Sequence, residues 1–539
     1  MSEKKINIKF IEKNQVLFWM FLLLICGIGI VILRYSTPEG IGLVNDSVGY
    51  IGGARNILAG NGYSRLSGDA LPRPITNYPP LFSIVLAGIG LFGVDGIIAG
   101  WWLNIILFGV NILLIGILVK KMTASNLFAW FASVVFCIST PMLVSHAYAM
   151  SEPLYLFISL SVIFFLIKYY EEKKIGWLIA AGIASGLSIL ARYVGLALVA
   201  TVVFSLAMAF PQAKVGHLRI KQRMIHILVY LAGAVPFVVI WLIRNMMVTE
   251  NAANRQVLFH PLSQEKINEG LLNFWGWLLP ETGGIIEKIL VFWEYVFIGI
   301  VAAGFILVGR MAWGFFRKGI GEPKAEVPNK VLMWIFATHG LAYIAVLLFS
   351  LTFVDASPVF EHRILAPLYI SIIPLICWFL SWIWNKQKMI WKGAALFVAL
   401  LFLAFLAEDS LDLVKTYRKD GLGFAHSSWV ESQTILAAAE LPETILYSNR
   451  VTALYILNNQ PAYILPSPDN PATGGLREGY QEDIANIREI IMDGEGLMII
   501  FGYDLIIQDE EGQKWMADLT DGVPVYENTE DGIIYGLNP

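Results

Sequence analysis

Apolar runs long enough to cross a bilayer recur through the first three quarters of this chain, separated by loops in which lysine and arginine cluster. That feature constrains the fold more than any motif. In hydrocarbon every backbone polar group needs a partner inside its own segment, so such runs have to be helices. Composition agrees. Hydrophobic residues are 57% of the 539 and charged residues 15%, against about 25% charged in soluble domains. A soluble enzyme, a disordered chain and a secreted disulfide scaffold are excluded. Cys26, Cys137 and Cys377 all lie in apolar runs. Three scattered thiols support neither a disulfide framework nor a metal cluster.

The basic loops set the expected topology. Lys4, Lys5, Lys9 and Lys13 precede a first span from Val16 to Leu33, read as uncleaved with its start in the cytoplasm. A long polar stretch, Arg34 to Tyr78, follows outside. Leu81 to Phe92 is too short to span and reads as an interfacial or re-entrant helix. Further spans are expected at Gly96–Val119, Asn126 to Pro141, Pro153–Ile167, Trp177–Leu190, Val194–Phe210, Ile225–Ile243, Ile286–Val308, Val331–Phe353, Ile364–Trp384 and Gly393–Ala407. With the first, that gives about eleven. Lys120 and Lys121, Lys173 and Lys174, the Lys214–Arg223 cluster, the Arg310–Lys330 cluster and Lys386 then all fall on one side, as the positive-inside rule requires. The expected location is the plasma membrane, with a cytoplasmic N-terminus and an outer C-terminus.

Charge divides the chain again. From Glu408 to Pro539 there are 23 acidic and 7 basic residues, while the first 407 residues are net basic. The two parts read as separate objects: a membrane domain over 1–407 and an extracytoplasmic domain over 408–539. The basic excess belongs to topology and membrane lipids, not to nucleic acid. In the tail, helices are expected at Ser428–Leu441, Val451–Leu457 and Tyr480–Met492. Strands are expected at Thr444–Tyr447, Ala462–Leu465 and Leu497–Phe501. Alternation of the two makes a small α/β layer. Without a phosphate loop or metal spacing, it reads as a stabilising or acceptor-guiding cap. The fold class is an all-α polytopic membrane protein with a small α/β outer domain.

The first polar stretch carries the most information. Val48, Ile51, Ala54, Ile57 and Leu58 recur at helical spacing, and Gly60-Asn61-Gly62 ends the helix. Asp46 sits at its start with Tyr50 one turn later. Taken alone, Asp46 reads as an N-cap, worth about 1 kcal/mol. Asn77-Tyr78-Pro79-Pro80 then precedes the short helix.

This order of Asp46, Tyr50, Ala54, a Gly-rich stop, Tyr78-Pro79-Pro80 and a short helix resembles the GT-C superfamily of polyprenyl-phosphate-sugar-dependent glycosyltransferases. The nearest branch is the bacterial protein O-mannosyltransferase and aminoarabinose-transferase type. Ser151-Glu152-Pro153-Leu154, Leu190-Ala191-Arg192-Tyr193 and Glu361-His362-Arg363 through Pro367 resemble its other outer-side motifs. The resemblance covers most of the chain and implies a GT-C fold. It also implies a polyprenyl-phosphate-linked sugar donor, a protein, lipid or glycan acceptor, and Asp46 as the base on the acceptor hydroxyl.

This sequence departs from that branch at three places. Ser47 replaces a Glu beside the aspartate, Gly49 replaces an Arg, and Asn77-Tyr78 replaces Glu-Lys. In the aminoarabinose branch those residues hold zinc and the lipid phosphate, so their absence removes the argument for zinc and for that sugar. A divalent metal is left unsupported. A leaving phosphate still needs cations. Arg192 and Arg363 are the first candidates, Arg55 and Arg244 the next, although arginines at span ends also snorkel to headgroups. Glu152, at a helix start before Pro153, is expected at the catalytic centre as a reserve carboxylate. Tyr50, Tyr78 and His146 are candidate substrate contacts. Glu294, seven residues after Glu287, is an intramembrane acid and a functional candidate by default. His260 and His362 read as surface histidines. A transporter or flippase of lipid-linked sugars is the rival class, weakened by the absence of paired broken helices. A non-catalytic polysaccharide-assembly subunit is a third.

Overall fold

The computed structural model describes every residue except 1, 67, 69, 209–219, 250–257, 260, 278–298, 300–301, 304–305, 307–309, 311–327, 355–359, 387–388, 469–476, 478 and 538–539. The expected span at 286–308, with Glu287 and Glu294, falls almost wholly outside the described residues. So do His260 and most of the basic residues from 214 to 219 and from 317 to 324. The chain separates into two compact units: residues 1–36, 76–82 and 100–418, and residues 37–75, 83–99 and 419–539.

The first unit is a multi-pass membrane bundle. Among the described residues, seven helices are long and apolar enough to cross a membrane: Asn14–Ser36, Gly96–Thr123, Glu152–Glu172, Lys221–Thr249, Lys330–Phe353, His362–Asn385 and Met389–Asp420. An eighth candidate, Asn126–Ile138 with Thr140–Ala147, is bent by 54°. Pro141 explains the break, since it lacks an amide donor and its ring crowds the carbonyl four residues earlier. The segments expected at 177–190 and 194–210 form the shorter apolar helices Ile175–Ala191 and Leu196–Met208. Leu81 opens a ten-residue helix, Leu81–Gly90, too short to span.

Helix packing in the bundle relies on small residues, because lipid supplies no hydrophobic drive between helices. Gly182 and Gly186 sit one turn apart on Ile175–Ala191, facing Ile220–Thr249. A methyl on Gly182 would lie 2.3 Å from the Tyr230 carbonyl oxygen, and one on Gly186 2.6 Å from that of Ala234. The two backbones touch, so alanine at either position would force them apart.

The second unit is an α/β layer. The two short strands β1 (Ser64–Leu66) and β2 (Pro72–Pro74) pair antiparallel. A five-stranded sheet contains β3 (Ile445–Ser448), β4 (Tyr463–Ile464), β5 (Gly496–Phe501), β6 (Val525–Asn528) and β7 (Gly532–Tyr535), in the order β4-β3-β5-β7-β6. The β4, β3 and β5 strands are parallel, and β5–β7 and β7–β6 antiparallel. Leu497, Ile499 and Phe501 of β5 join one core cluster, and Met498 and Ile500 join the other. Burial on both faces is why this strand reads as an unbroken apolar run. The helix expected over 428–441 is two pieces, Ser427–Val430 and Gln433–Ala439, because Ser432 caps the second through the Ile435 amide.

Candidate active site

In the second unit, Asn45–Leu58 forms the expected helix, but its cap differs from the sequence expectation. Val44 is the N-cap residue, and its backbone amide donates to Ser47 Oγ at 3.1 Å. Asp46 is therefore the second helical residue, half-buried in the first turn, where the helix dipole favours a negative charge. Ser47, the residue after Asp46, carries the capping contact. Tyr50, expected to touch substrate, is instead 4% exposed; its carbonyl accepts from Ser83 Oγ at 2.8 Å, so it is a packing element of the helix.

Arg55 also differs from the expectation of a phosphate ligand. Its Nε and Nη2 fork onto Asp95 at 3.1 and 3.3 Å, Nη1 donates to Tyr455 O at 2.9 Å, and Nη2 to Ile456 O at 3.3 Å. Every nitrogen of the guanidinium is engaged by protein. Burial raises the pKa of Asp95, but the Arg55 hydrogen bond and the Ile97 amide outweigh it and hold the carboxyl below its ordinary value. The sign follows: the contribution is complete above about pH 4 and is lost as pH falls through the lower native value. Unfolding curves should therefore show Asp95→Asn costing stability at pH 7 and much less near pH 3.

The first unit gathers the other candidates. Glu152 opens Glu152–Glu172 and is 1% exposed. Its Oε1 lies 2.5 Å from Arg192 Nη1, at the C-cap of Ile175–Ala191. A carboxylate this deeply buried is held by its cation, so Glu152 is a paired carboxylate, unlike the reserve base expected from the sequence. The Arg192 side chain keeps 17% exposure. Arg363 pairs with Glu361 at 2.8 Å and lies 3.9 Å from Met150 Sδ. Arg244 donates to Asn245 Oδ1 at 3.0 Å and lies over the Trp241 ring at 5.3 Å.

Thr76, two residues before the half-buried Tyr78, accepts from Tyr193 Oη at 3.4 Å and Asn245 Nδ2 at 3.5 Å; Trp241 Nε1 donates to Tyr193 Oη at 3.0 Å. The bundle thus brings Arg192, its neighbour Tyr193, Arg244 and the Tyr78 segment into one network.

His146 is a core histidine, not a substrate contact. It is 1% exposed, with Nδ1 2.7 Å from Met142 O and Nε2 3.2 Å from Asn111 Nδ2. An amide donates to Nε2, so the ring proton sits on Nδ1, toward the carbonyl. Asn111 also donates to Pro153 O at 3.2 Å, and Asn104 to Tyr148 O at 2.7 Å. These two fully buried asparagines pin the turn that delivers Glu152. The sequence reading missed them, although two intramembrane amides seven residues apart on one helix face were a signal. Among the described residues no three His, Cys, Asp or Glu side chains cluster as a metal site.

Residues 72–249 match the family model described as dolichyl-phosphate-mannose-protein mannosyltransferase. That stretch contains Tyr78, Glu152, Arg192 and Arg244. The fold is similar to ArnT from Cupriavidus metallidurans bound to undecaprenyl phosphate. The TM-score is 0.50 at 14% identity, over 96% of this chain and 97% of that one. It is also similar to the oligosaccharyltransferase AglB from Archaeoglobus fulgidus, in complex with an inhibitory peptide and a dolichol-phosphate. There the TM-score is 0.51 at 11% identity, over 96% of this chain and 74% of that one. The chain thus shares its fold with these two membrane proteins and matches the mannosyltransferase family model over residues 72–249. No curated protein matches it in sequence. The family match begins after Asp46 and ends before Arg363, so those two residues rest on their own geometry.

Proposed function

We propose that this glycosyltransferase moves a sugar from a polyprenyl-phosphate donor to an acceptor hydroxyl on the outer face of the plasma membrane, with inversion and with Asp46 as general base. The acceptor oxygen attacks the anomeric carbon as its proton passes to the Asp46 carboxylate. The bond from that carbon to the phosphate oxygen breaks, and the polyprenyl phosphate leaves as an anion. A positioned carboxylate supplies about 10²–10⁴-fold in such a step. Arg192, held by Glu152, and Arg363 stabilise the leaving phosphate, whose charge grows in the transition state. Arg244 is a further phosphate contact in this reading, and Tyr78 a substrate contact. The acceptor is a protein, lipid or glycan hydroxyl.

The observation that carries the reading is the first turn of Asn45–Leu58. Ser47 takes the capping contact, and Asp46 beside it stands where the resemblance implies the catalytic carboxylate. The buried Glu152–Arg192 pair supports the donor half. Purified protein given polyprenyl-phosphate-mannose, or other hexose or pentose donors, together with a membrane extract as the source of acceptor hydroxyls, should release polyprenyl phosphate in an amount equal to the sugar transferred. Recovery of every donor intact would overturn the reading.

Orientation has its own test. Cysteines introduced beside Lys121 and Lys221 should resist an impermeant thiol reagent in whole cells, and one at Asp493 should react. The reverse pattern would put the donor arginines on the wrong face.

A further inference from the structure

We propose that, within the second unit, the C-terminal segment 419–539 is the positioning platform of the Asp46 helix, with Gly423, Arg55 and Asp95 as positioning residues. The inference rests on the reading of Asp46 as the base and gives the C-terminal residues a role in the same reaction.

Both ends of Asn45–Leu58 are fixed to that segment. Leu43, three residues before Asp46, donates its amide to Leu422 O at 3.2 Å and accepts from the Phe424 amide at 2.9 Å, forming a parallel bridge to Gly423. Gly423 has φ +59, and a methyl there would lie 1.9 Å from the Leu43 carbonyl oxygen. Only glycine allows this approach, since it alone enters the left-handed region without a Cβ penalty. The bridge fixes the height at which the helix starts.

Three turns later Arg55 sets the other end. It caps the Tyr455 and Ile456 carbonyls in the last turn of Val451–Asn458, where a cation is favoured by the helix dipole. The same guanidinium forks onto Asp95, which also accepts from the Ile97 amide at 2.9 Å. Between the two ends Gly52 lies against the Tyr455 ring, with 2.9 Å to a methyl placed there. Beyond the helix, the Ile464 amide of β4 donates to Gly68 O at 2.7 Å. A helix held at its start, its middle and its end can neither slide nor turn about its axis. Displacing a reacting group by about 1 Å costs on the order of 10²-fold in rate.

The test uses the full-length protein in detergent, with undecaprenyl-phosphate-mannose as the probe donor. Arg55→Gln and Gly423→Ala each remove one anchor. Arg55→Lys keeps the charge but loses the fork, and serves if either of the others fails to fold. Arg488→Gln, which breaks the Arg488–Asp521 pair elsewhere in the unit, is the control. Amide hydrogen exchange over residues 47–53 should accelerate at least about ten-fold in the anchor variants, with β3 and β5 unchanged. In the same variants kcat should fall about 10–100-fold with KM within about two-fold, and Arg488→Gln should do neither. Unaltered exchange over 47–53 in the anchor variants overturns the proposal, whatever happens to activity. Accelerated exchange with a silent Asp46→Asn leaves the platform standing and overturns the base assignment instead.

Discussion

Replacing Asp46 by Asn is expected to lower sugar transfer by about two orders of magnitude or more while the protein inserts, purifies and melts as before. Asn has nearly the same shape as Asp, and the capping contact belongs to Ser47. The substitution therefore removes charge and basicity without removing the cap. Ser47 offers no carboxylate beside it. Glu152 offers none either, because it is buried against Arg192. A variant with near-normal kcat on a defined lipid-linked sugar would show that another group takes the proton.

Arg192→Ala is expected to have the second largest effect, on two separate readouts. Removing the cation leaves the Glu152 carboxylate buried without its partner, which costs about 3–5 kcal/mol of stability. Donor use should collapse as well. Adding Glu152→Gln removes the stranded charge, so the double variant should recover stability in thermal melts but not donor use. Arg363→Ala should weaken donor use with little loss of stability, because its Glu361 partner is 52% exposed, and such pairs contribute about 0–1 kcal/mol. Arg310→Ala, on the proposed cytoplasmic side, should do neither. If the double variant transfers sugar normally, Arg192 is a structural arginine and not a phosphate ligand.

The bundle was legible because hydrocarbon leaves a long apolar run only one way to satisfy its backbone. In the tail, the both-faces-buried β5 was legible for a similar reason. The strands β6 and β7 were not. β6 is a largely exposed edge strand with mixed polarity, and β7 follows it through a short turn, so neither shows a clear period. The candidate site was legible as a set of residue types at helix starts and ends, but not as a set of partners. Glu152 and Arg192 were both singled out, yet nothing in their spacing says that they pair. Arg55 and its carbonyl acceptors are 400 and 401 residues apart, which no local pattern reports. His146 was ambiguous for the same reason: its second nitrogen meets Asn111, 35 residues away on another helix.

The most direct test reconstitutes the protein in vesicles carrying a polyprenyl-phosphate sugar labelled in both the sugar and the lipid, with wild type and Asp46→Asn side by side. Wild type is expected to separate the two labels, leaving polyprenyl phosphate in the membrane and sugar on an acceptor or in water, and Asp46→Asn is expected not to. Labels that stay joined while the donor crosses to the other leaflet, equally with and without the Asp46 carboxylate, would contradict that expectation.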